Sequence, residues 1–408
     1  MVIGDWPTEP TGEKLSGAIG RLMRTTLYVY HESLKGSVTF NPFSPMTFPQ
    51  DVPTHVMTFF LQVGRFTGAA SHHGGYGGGY SSSSYGSQGE MVMLAGGAHV
   101  GVESLAQAAV ILVIGVAIII SNIIVLATFI TMPGPKDVIV YYLMSLGVAD
   151  LVAGVVVVPL SVYPALTQRW VYGDAVCGLA GYIEITIWFA QLCTFMWISV
   201  DRYLAIRKPL RYETVQTKTR CQCWVVFTWV TSMMLCCPPL LGFNSSSNWD
   251  TEAYVCWLDW GSMIAYAFTL VPLVLGPTVI TLCYTYGYIF KIMRTFKTFV
   301  VGQEKEFVTA LQINLENTDH MMSFTLVLAF WLSWGPCVGV RTYEYITGTY
   351  INVRFLHFAI FWLGALNSCW KAIIYIAMSS KFRRGLKLFC LSLCCRGKAR
   401  DAELIMDY

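Results

Sequence analysis

The chain has 408 residues and a net charge of +3, and 55% of its residues are hydrophobic while only 12% are charged. Ordinary globular proteins carry roughly 25% charged residues, so this chain has too few polar residues to coat soluble domains. A nucleic-acid partner usually requires a strongly basic face, which the small net charge does not indicate. The composition predicts a membrane protein.

The first hundred residues differ from the rest, because they are polar, rich in Gly, Ser and Pro, and lack a long apolar run. A low-complexity stretch of Gly, Ser and Tyr follows His72 and His73, and such composition predicts disorder. Residues 1–14 lack the apolar core of a signal peptide, so the first membrane helix is expected to act as the export signal. We therefore expect residues 1–104 to form an extracellular, largely disordered tail.

Seven later segments are long and apolar enough to cross a bilayer as helices, which takes about 20 residues each. Lipid-facing barrel strands would alternate with a period of two, and the segments show no such alternation. The sequence therefore predicts an all-α membrane protein, with a seven-transmembrane helix bundle over residues 105–380. The segments are 105–131, 138–165, 175–200, 222–243, 261–290, 322–340 and 355–378.

The positions of Lys and Arg predict the orientation of the bundle, because basic loops stay on the cytoplasmic side. Basic residues concentrate after the third segment, after the fifth segment and between Lys381 and Arg400, whereas the opposite loops hold few. We expect the N-terminus outside the cell and the C-terminus in the cytoplasm. The sequon that begins at Asn244 then lies on the outer side, which makes Asn244 a glycosylation candidate.

Cysteine usage agrees with this orientation. Of thirteen cysteines, only Cys177 and Cys256 are expected on the oxidising side. One disulfide between them would attach the second outer loop to the start of the third helix.

Short motifs recur along the apolar segments in a fixed order. They are Ser145-Leu-Gly-Val-Ala-Asp150, Asp201-Arg202-Tyr203, Phe330-x-x-x-Trp334-Gly-Pro336, Trp362-Leu-Gly364 and, further along the seventh segment, Asn367-Ser368 and Tyr375. With the cysteine pair, this order resembles the rhodopsin-like (class A) G-protein-coupled receptors over about residues 105–395. The resemblance implies a plasma-membrane receptor that binds an extracellular small molecule and activates heterotrimeric G proteins, with arrestin and receptor kinases as further partners.

Three other classes of function predict features that the sequence lacks. A transporter or channel would show internal repeats and broken helices in matching halves. A light sensor of this family would need a lysine where Ala365 stands. An enzyme would need a nucleophile–base set or metal-ligand spacing, so we expect no enzymatic activity, no cofactor and no metal. A receptor that signals without added ligand remains an alternative within the family.

The resemblance also implies an activation switch at the cytoplasmic end of the bundle. Arg202, between Asp201 and Tyr203, would pair with Glu316 and hold the sixth helix inward until activation breaks the pair. The alternative is that these are solvated helix-end charges worth about 0–1 kcal/mol. Higher in the bundle, the residues expected to take part in the helix movement are Phe330, Trp334, Pro336 and Tyr375, because proline kinks a helix and creates a pivot.

The candidate ligand site lies on the third helix. Glu184 and Arg202 share one helix face by spacing and lie about 27 Å apart along the axis, so Glu184 would face an outer cavity. Aminergic receptors place an aspartate at the matching site, which favours a cationic amine; the alternative is a carboxyl group that is paired internally or hydrated. The candidate ligand-binding residues are Glu184, Trp188, Trp334, Cys337, Val338 and Trp362, although Cys337 and Val338 stand where amine receptors have aromatic residues.

Two departures from the family pattern matter for the interior of the bundle. Lys371 stands where the family has an asparagine, and a charge at that membrane depth costs about 2.5–3.5 kcal/mol. Relatives commonly hold a sodium ion on the residue that matches Asp150, near the positions of Gln191, Asn367 and Ser368. We expect the Lys371 ammonium group to pair with Asp150 in place of that ion; the alternative is that it extends toward cytoplasmic water.

The second departure concerns the fifth helix. Pro277 precedes Tyr284 by seven residues and Tyr286 by nine, where the family has eight. The tyrosine that moves on activation is therefore left open between these two.

The C-terminal segment, residues 381–408, is expected to be a cytoplasmic amphipathic helix and tail. Four basic residues alternate with Phe382, Leu386 and Phe389, which is typical of a helix that lies on an anionic membrane surface. Its palmitoylation candidates are Cys390, Cys394 and Cys395, with structural cysteines as the alternative.

Overall fold

The structure, a computed structural model, describes residues 91–93, 99–133, 136–241, 248–258 and 264–394, some of them near the gaps by backbone alone. The chain divides into two compact units, Met1–Ser87 and Gln88–Tyr408, and all described residues belong to the second. Most of the expected N-terminal tail, residues 1–104, therefore lies outside the described residues.

Seven of the described helices are long and apolar enough to cross a membrane, as the sequence predicts. They are numbered here as spans one to seven in chain order. The spans are Val102–Thr131, Val138–Thr167, Asp174–Arg207, Lys218–Leu241, Ile264–Phe299, Asp319–Thr347 and Leu356–Met378. Spans three, five and six run several residues beyond the predicted limits, because the helices continue into polar turns that an apolar segment does not include.

Two spans deviate from regular α-helix where they face the interior. Span two contains a π-helical turn, Ala153–Val157, between Val138–Val152 and Val158–Thr167. Span seven divides at Leu366 into Leu356–Ala365 and Asn367–Met378. The turn there is tightened, since the Cys369 N–H donates to the Leu366 carbonyl, three residues back, at 2.9 Å.

Shorter elements complete the described fold. A helix Lys305–Glu316 precedes span six, and the short turns Pro209–Arg211 and Tyr212–Val215 follow span three. Two antiparallel pairs of strands are formed by β1 (Met91–Met93) with β2 (His99–Gly101) and by β3 (Asn248–Asp250) with β4 (Val255–Trp257).

The predicted amphipathic C-terminal helix is present at Ser380–Cys394. Phe382 is buried on its inner face, with its ring 5.2 Å from Phe129 and 5.6 Å from Tyr375. Lys381 lies at the surface and pairs with Asp137. The helix is thus anchored to spans one and seven by its apolar side and leaves basic residues exposed.

The β3–β4 hairpin packs closely onto span three. The predicted disulfide joins Cys177 to Cys256, with the Cα atoms 5.3 Å apart. A methyl group on Gly181 would lie 2.8 Å from the backbone nitrogen of Leu258, so only glycine allows this approach. We call this part of the bundle the disulfide end and the opposite part, at the foot of span three, the Arg202 end.

Span three is the centre of the bundle. The buried share of its most apolar stretch is 72%, against 28–50% for the other six spans. Side chains on span three therefore reach both ends of the bundle from within the protein, and three of the four charged sites described next include a span-three residue.

Candidate ligand site and charge clusters

A small cavity lies beneath the β3–β4 hairpin. Four of the predicted ligand residues line it, namely Glu184, Trp188, Trp334 and Trp362. Its volume for water-sized molecules is about 30 Å³, enough for about two water molecules. Pockets for drug-sized ligands measure roughly 300–1,000 Å³. The cavity is therefore much smaller than a pocket for a drug-sized ligand.

The hairpin forms the roof of this cavity. Val255 of β4 contributes to the lining, and the four residues Ala253 to Cys256 are all buried. The indole N–H of Trp362 donates to the Ala253 carbonyl at 3.1 Å, which ties span seven to the hairpin. A ligand of ordinary size could enter only if the hairpin moved.

Spans six and seven both contribute to the cavity wall and pack closely around Trp334. A methyl group on Gly364 would lie 2.7 Å from Trp334 Cε3, so the missing side chain lets spans six and seven meet. The Trp334 ring also packs edge-on against Phe361, with the centroids 5.7 Å apart. Trp334 is thereby held between the two spans that the predicted helix movement would separate.

Glu184 is the acidic residue of the cavity wall. Among the described residues its carboxyl group has no hydrogen-bond or ion-pair partner, although it lies at membrane depth. An ionisable group at such depth normally has a partner. The cavity therefore contains an uncompensated acceptor surrounded by three indole rings.

Two predicted ligand residues do not belong to the cavity as it stands. Cys337 is buried in the core and Val338 is half-buried, and the lining includes neither of them. Both lie on the same face of span six as Trp334, about one helical turn further along the chain, beyond the part of the wall that Trp334 forms. The role of these two residues in ligand binding stays a prediction, because the cavity as it stands does not include them.

The interior of the bundle contains the predicted pair of Lys371 and Asp150. The Lys371 Nζ lies 2.9 Å from Asp150 Oδ1 and 2.8 Å from Oδ2, and it also donates to Gln191 Oε1 at 3.0 Å. All three ammonium protons thus have acceptors. Both charged side chains are buried, with 1% of Lys371 and none of Asp150 exposed.

The remaining contacts of Asp150 complete this cluster. Gln191 Nε2 donates to Asp150 Oδ1 at 2.7 Å, and the Ser368 hydroxyl donates to the same oxygen at 2.8 Å. The Asn367 side chain has no hydrogen-bond partner among the described residues, so it does not take the predicted supporting role. Lys371, Asp150, Gln191 and Ser368 form a closed network, and Gln191 and Ser368 also line the cavity.

At the Arg202 end, the predicted pair of Arg202 and Glu316 is wrong. Arg202 Nε donates to Asp201 Oδ2 at 2.9 Å, and Arg202 NH1 lies 3.6 Å from Asp319 Oδ2. Glu316 is the last residue of the preceding helix, where it accepts a hydrogen bond from Gln312 at 2.9 Å. One helix ends at Glu316 and the next begins at Asp319. The family spacing that predicts Glu316 assumes one continuous helix, so it identifies the wrong acid.

The loop after span three closes this cluster. The Tyr212 hydroxyl donates to Asp201 Oδ1 at 3.0 Å, and Gln216 Nε2 donates to the same oxygen at 3.0 Å. Burial, followed by the Asp201 carboxylate, raises the pKa of Tyr212, so its hydroxyl keeps the proton that it donates. Sequence reasoning missed Tyr212 and Gln216, because neither belongs to a motif.

The other predicted switch residues occupy distinct places. Phe330 packs against Phe195 at 5.2 Å and near Trp188 at 6.0 Å, which connects the cavity to the core. Tyr203 faces span five, with its ring 5.1 Å from Tyr288. Tyr375 is buried against Phe129 at 5.6 Å. Pro336 lies on the exposed side of span six.

The structure distinguishes the two tyrosines of span five. Tyr286 is buried, and its ring packs 5.2 Å from Phe324 of span six. Tyr284 is 57% exposed, and its ring lies 5.7 Å from Tyr203. Tyr286 is therefore the inward-facing tyrosine, beside the span that would move.

The predicted modification sites are described only in part. Asn244 and Cys395 lie outside the described residues. Cys390 is exposed on the C-terminal helix, and Cys394 is the last residue of that helix.

One cluster was not foreseen from the sequence. At the disulfide end, His357 of span seven is buried between Glu252 of the hairpin and Glu344 of span six. Arg341 of span six pairs with Asp250 of β3 beside it. These residues are far apart in the sequence and form no motif, so no local signal could have found them.

Comparison with known proteins agrees with the geometry. The model of the family "7 transmembrane receptor (rhodopsin family)" matches residues 121–375. The human histamine H2 receptor is 26% identical over 276 residues, which cover 64% of this chain and 73% of the relative. G-protein coupled receptor 52 of Mus musculus is 26% identical over 261 residues, which cover 62% and 72%.

The fold is also that of a solved relative. The crystal structure of squid rhodopsin superposes with a TM-score of 0.61 at 18% identity and covers 74% of this chain and 90% of that chain. With the matched family model, the seven spans and the disulfide, the chain belongs to the rhodopsin family of seven-transmembrane receptors. It is a G-protein-coupled receptor of that family.

Proposed function

We propose that this receptor recognises a small cationic amine through Glu184. The observation that carries the proposal is the Glu184 carboxyl group, which lines the cavity without a polar partner among the described residues. A protonated amine would provide the missing donors and the compensating charge. The relatives include the histamine H2 receptor, whose name identifies an amine ligand.

The other walls of the cavity favour the same ligand class. Trp188, Trp334 and Trp362 line the same cavity as Glu184, and cations are attracted to the faces of indole rings. Because the cavity is small, a small amine requires less movement of the hairpin roof than a larger ligand would. A small amine fits both the chemistry and the size of the site.

The placement in the cell belongs to the same proposal. The disulfide end would face the extracellular medium and the Arg202 end the cytoplasm, as the distribution of basic residues predicts. The receptor domain, residues 105–380, would then lie between an outer tail and a cytoplasmic segment, residues 381–408. Heterotrimeric G proteins would bind at the Arg202 end, with arrestin and receptor kinases as later partners.

The amine proposal is tested by measuring second messengers in cells that express the wild type or Glu184→Gln. The cells receive a panel of small amines that begins with histamine. We expect a response of the wild type to at least one amine and a potency loss of roughly ten- to hundredfold in the variant, as expected for one charged hydrogen bond. Surface expression of the two proteins is matched by epitope labelling.

Glu103→Gln is the control, because Glu103 lies outside the cavity lining in an exposed pair with Arg354. This variant should respond as the wild type does. Equal amine potency in the wild type and Glu184→Gln, or silence of the wild type to the whole panel, would contradict the proposal.

A second candidate function is signalling without added ligand, which the buried hairpin favours. The residues from Ala253 to Cys256 are buried, and Val255 lines the cavity together with Trp334 and Trp362. The measurement is basal second-messenger output as a function of receptor density. Output that rises with density in the absence of amines would support this candidate, and a flat line would contradict it.

A further inference from the structure

His357 lies at the junction of three elements at the disulfide end. Its side chain is fully buried. Its Nδ1 is 2.8 Å from Glu252 Oε2, and its Nε2 is 2.8 Å from Glu344 Oε1. The two carboxyl groups belong to the β3–β4 hairpin and to span six, and neither is near His357 in the sequence.

This geometry requires one proton more than a neutral imidazole and two carboxylates together carry. A carboxylate only accepts hydrogen bonds, and a neutral imidazole has only one N–H to donate. A neutral ring would leave one carboxylate oxygen 2.8 Å from a nitrogen lone pair. Two carboxylates on opposite sides of one imidazole therefore form a site for an additional proton.

The charged side chains around the His357 ring are mostly acidic. Among the described residues, the cluster contains the acids Asp250, Glu252 and Glu344, and Arg341 is its one arginine. Arg341 pairs with Asp250 and lies 3.6 Å from Glu344, so no lysine or arginine pairs with Glu252 there. Three acidic side chains and one arginine therefore surround the ring.

Tyr350 is the third residue that contacts the His357 ring, after Glu252 and Glu344. Its ring stacks on His357 with the centroids 4.6 Å apart, and its hydroxyl lies 3.2 Å from Nδ1. Burial, followed by the Glu252 carboxylate, raises the pKa of Tyr350 to about 12. The phenol is therefore a neutral group that can donate to Nδ1 when the ring loses its proton there.

The His357 contacts connect the hairpin to spans six and seven. Glu252 stands at the hairpin turn, directly before Ala253, whose carbonyl accepts the Trp362 N–H, and three residues before Val255, which lines the cavity. Glu344 is held independently, because its Oε1 accepts the backbone N–H of Ile351 at 2.9 Å. The contact that depends on the second ring proton is thus the one between His357 Nδ1 of span seven and Glu252 of the hairpin.

We propose that His357 is a proton-binding site through which acidity on the disulfide side fastens the β3–β4 hairpin over the cavity. With the proton bound, the imidazolium donates to Glu252 and to Glu344. When the proton leaves Nδ1, the Tyr350 hydroxyl, which also hydrogen-bonds Glu252, donates to Nδ1 instead, and Glu252 loses both donors. Glu252 is 30% exposed, so its carboxylate turns to water and the link between the hairpin turn and span seven through His357 is lost.

A metal ion is not the ligand that this cluster fits. Among the described residues, no group of three or more His, Cys, Asp and Glu side chains is arranged to hold one. The ring nitrogens already lie at hydrogen-bond distance from carboxylate oxygens, which leaves no room for an ion between them. The proton is the ligand that these distances accommodate.

The first test observes the proton directly. The full-length receptor, labelled with ¹⁵N in its histidine rings and held in lipid nanodiscs, is studied by nuclear magnetic resonance at about pH 6 and about pH 8.5, on either side of the ordinary histidine range. His357→Gln identifies the signal among the seven histidines. We expect two protonated ring nitrogens at the lower pH and one at the higher pH.

Glu252→Gln is the matched variant. The side-chain amide that replaces the carboxylate donates to a neutral Nδ1, so the ring no longer needs a second proton to bridge its neighbours. In this variant the signal should remain that of a singly protonated ring at both pH values. A wild-type ring that keeps one protonation state throughout, or titration unchanged by Glu252→Gln, would overturn the proposal.

The second test measures the fastening of the hairpin by hydrogen–deuterium exchange over residues 248–257. The wild type and His357→Gln are compared at the same pH, so the intrinsic exchange rates cancel. At about pH 6 the wild-type hairpin should exchange roughly tenfold more slowly than the variant, the effect of one charged hydrogen bond. At about pH 8.5 the two should agree within about twofold.

An exchange ratio that is the same at both pH values would overturn the fastening role. If His357→Gln fails to fold, Glu252→Gln supplies the comparison. The exchange rate of its hairpin, divided by the intrinsic rate at the same pH, should be the same at both pH values. Both faces of a nanodisc meet the same pH and no amine is added. The outcome is therefore independent of the proposed orientation and of the proposed ligand.

Discussion

Lys371 and Glu184 are both ionisable residues at membrane depth, yet their surroundings are opposite. Lys371 has an acceptor for each of its three ammonium protons and lies in a closed network. Glu184 has no polar partner among the described residues and faces the cavity. Gln191 and Ser368 belong both to the network and to the cavity wall, so the two environments adjoin.

The difference distinguishes two uses of buried charge. A pair that satisfies itself holds the bundle together, because removing one partner strands the other in a dry interior. A carboxyl group without a partner adds nothing to stability and is available to a ligand. Arg202 lies between these cases, since Asp201 binds it closely while Asp319 lies at the longer distance of 3.6 Å.

The largest effect is expected for Lys371→Ala. Removing the ammonium group strands the Asp150 carboxylate, which costs about 3–5 kcal/mol when a buried pair is broken. We expect severe loss of surface expression and of thermal stability in detergent. Adding Asp150→Asn should restore much of both, since no charge then remains unpaired.

Lys381→Ala is the control, because its pair with Asp137 is exposed and worth about 0–1 kcal/mol. A double variant that expresses no better than Lys371→Ala would contradict the stabilising role of the Lys371–Asp150 pair.

If the lysine takes the place of a sodium ion, as we propose, agonist binding to the wild type should also be the same in sodium and potassium chloride. Suppression by sodium alone would contradict that role.

A smaller effect is expected at the Arg202 end. Asp319→Asn removes the long contact between spans three and six, which we take as worth about 1 kcal/mol, or roughly a fivefold shift between two states. Basal signalling should rise by about that factor at matched expression. Glu316→Ala should leave it unchanged, because Glu316 contacts Gln312 instead of Arg202. A larger rise for Glu316→Ala than for Asp319→Asn would restore the original assignment.

The smallest effect is expected for the stability of Glu184→Gln. No contact among the described residues is lost, so the free energy of unfolding should change by no more than about 0.5 kcal/mol. Thermal unfolding of the purified receptor in the absence of amines measures this. A loss of more than about 1.5 kcal/mol would show that Glu184 has a structural partner and would remove the contrast with Lys371.

Several features of this receptor followed from the sequence, because each depends on a local property of the chain or on its resemblance to a known family. Apolar runs predict the seven spans, since a helix satisfies its own backbone in lipid. The distribution of basic residues isolates Cys177 and Cys256, which do form the disulfide. Lys371 was expected to find Asp150 because an unpaired charge at that depth is too costly, and the two do meet.

Other features were decided only by the tertiary structure, because they depend on where helices break and how they are rotated. The break after Glu316 makes Asp319 the neighbour of Arg202, and the rotation of span five turns Tyr286 inward and Tyr284 outward. Nothing in the sequence places Glu252 and Glu344 on either side of His357. Hydropathy is a property of neighbouring residues, whereas these contacts join side chains from separate helices and loops, whose directions are set by packing.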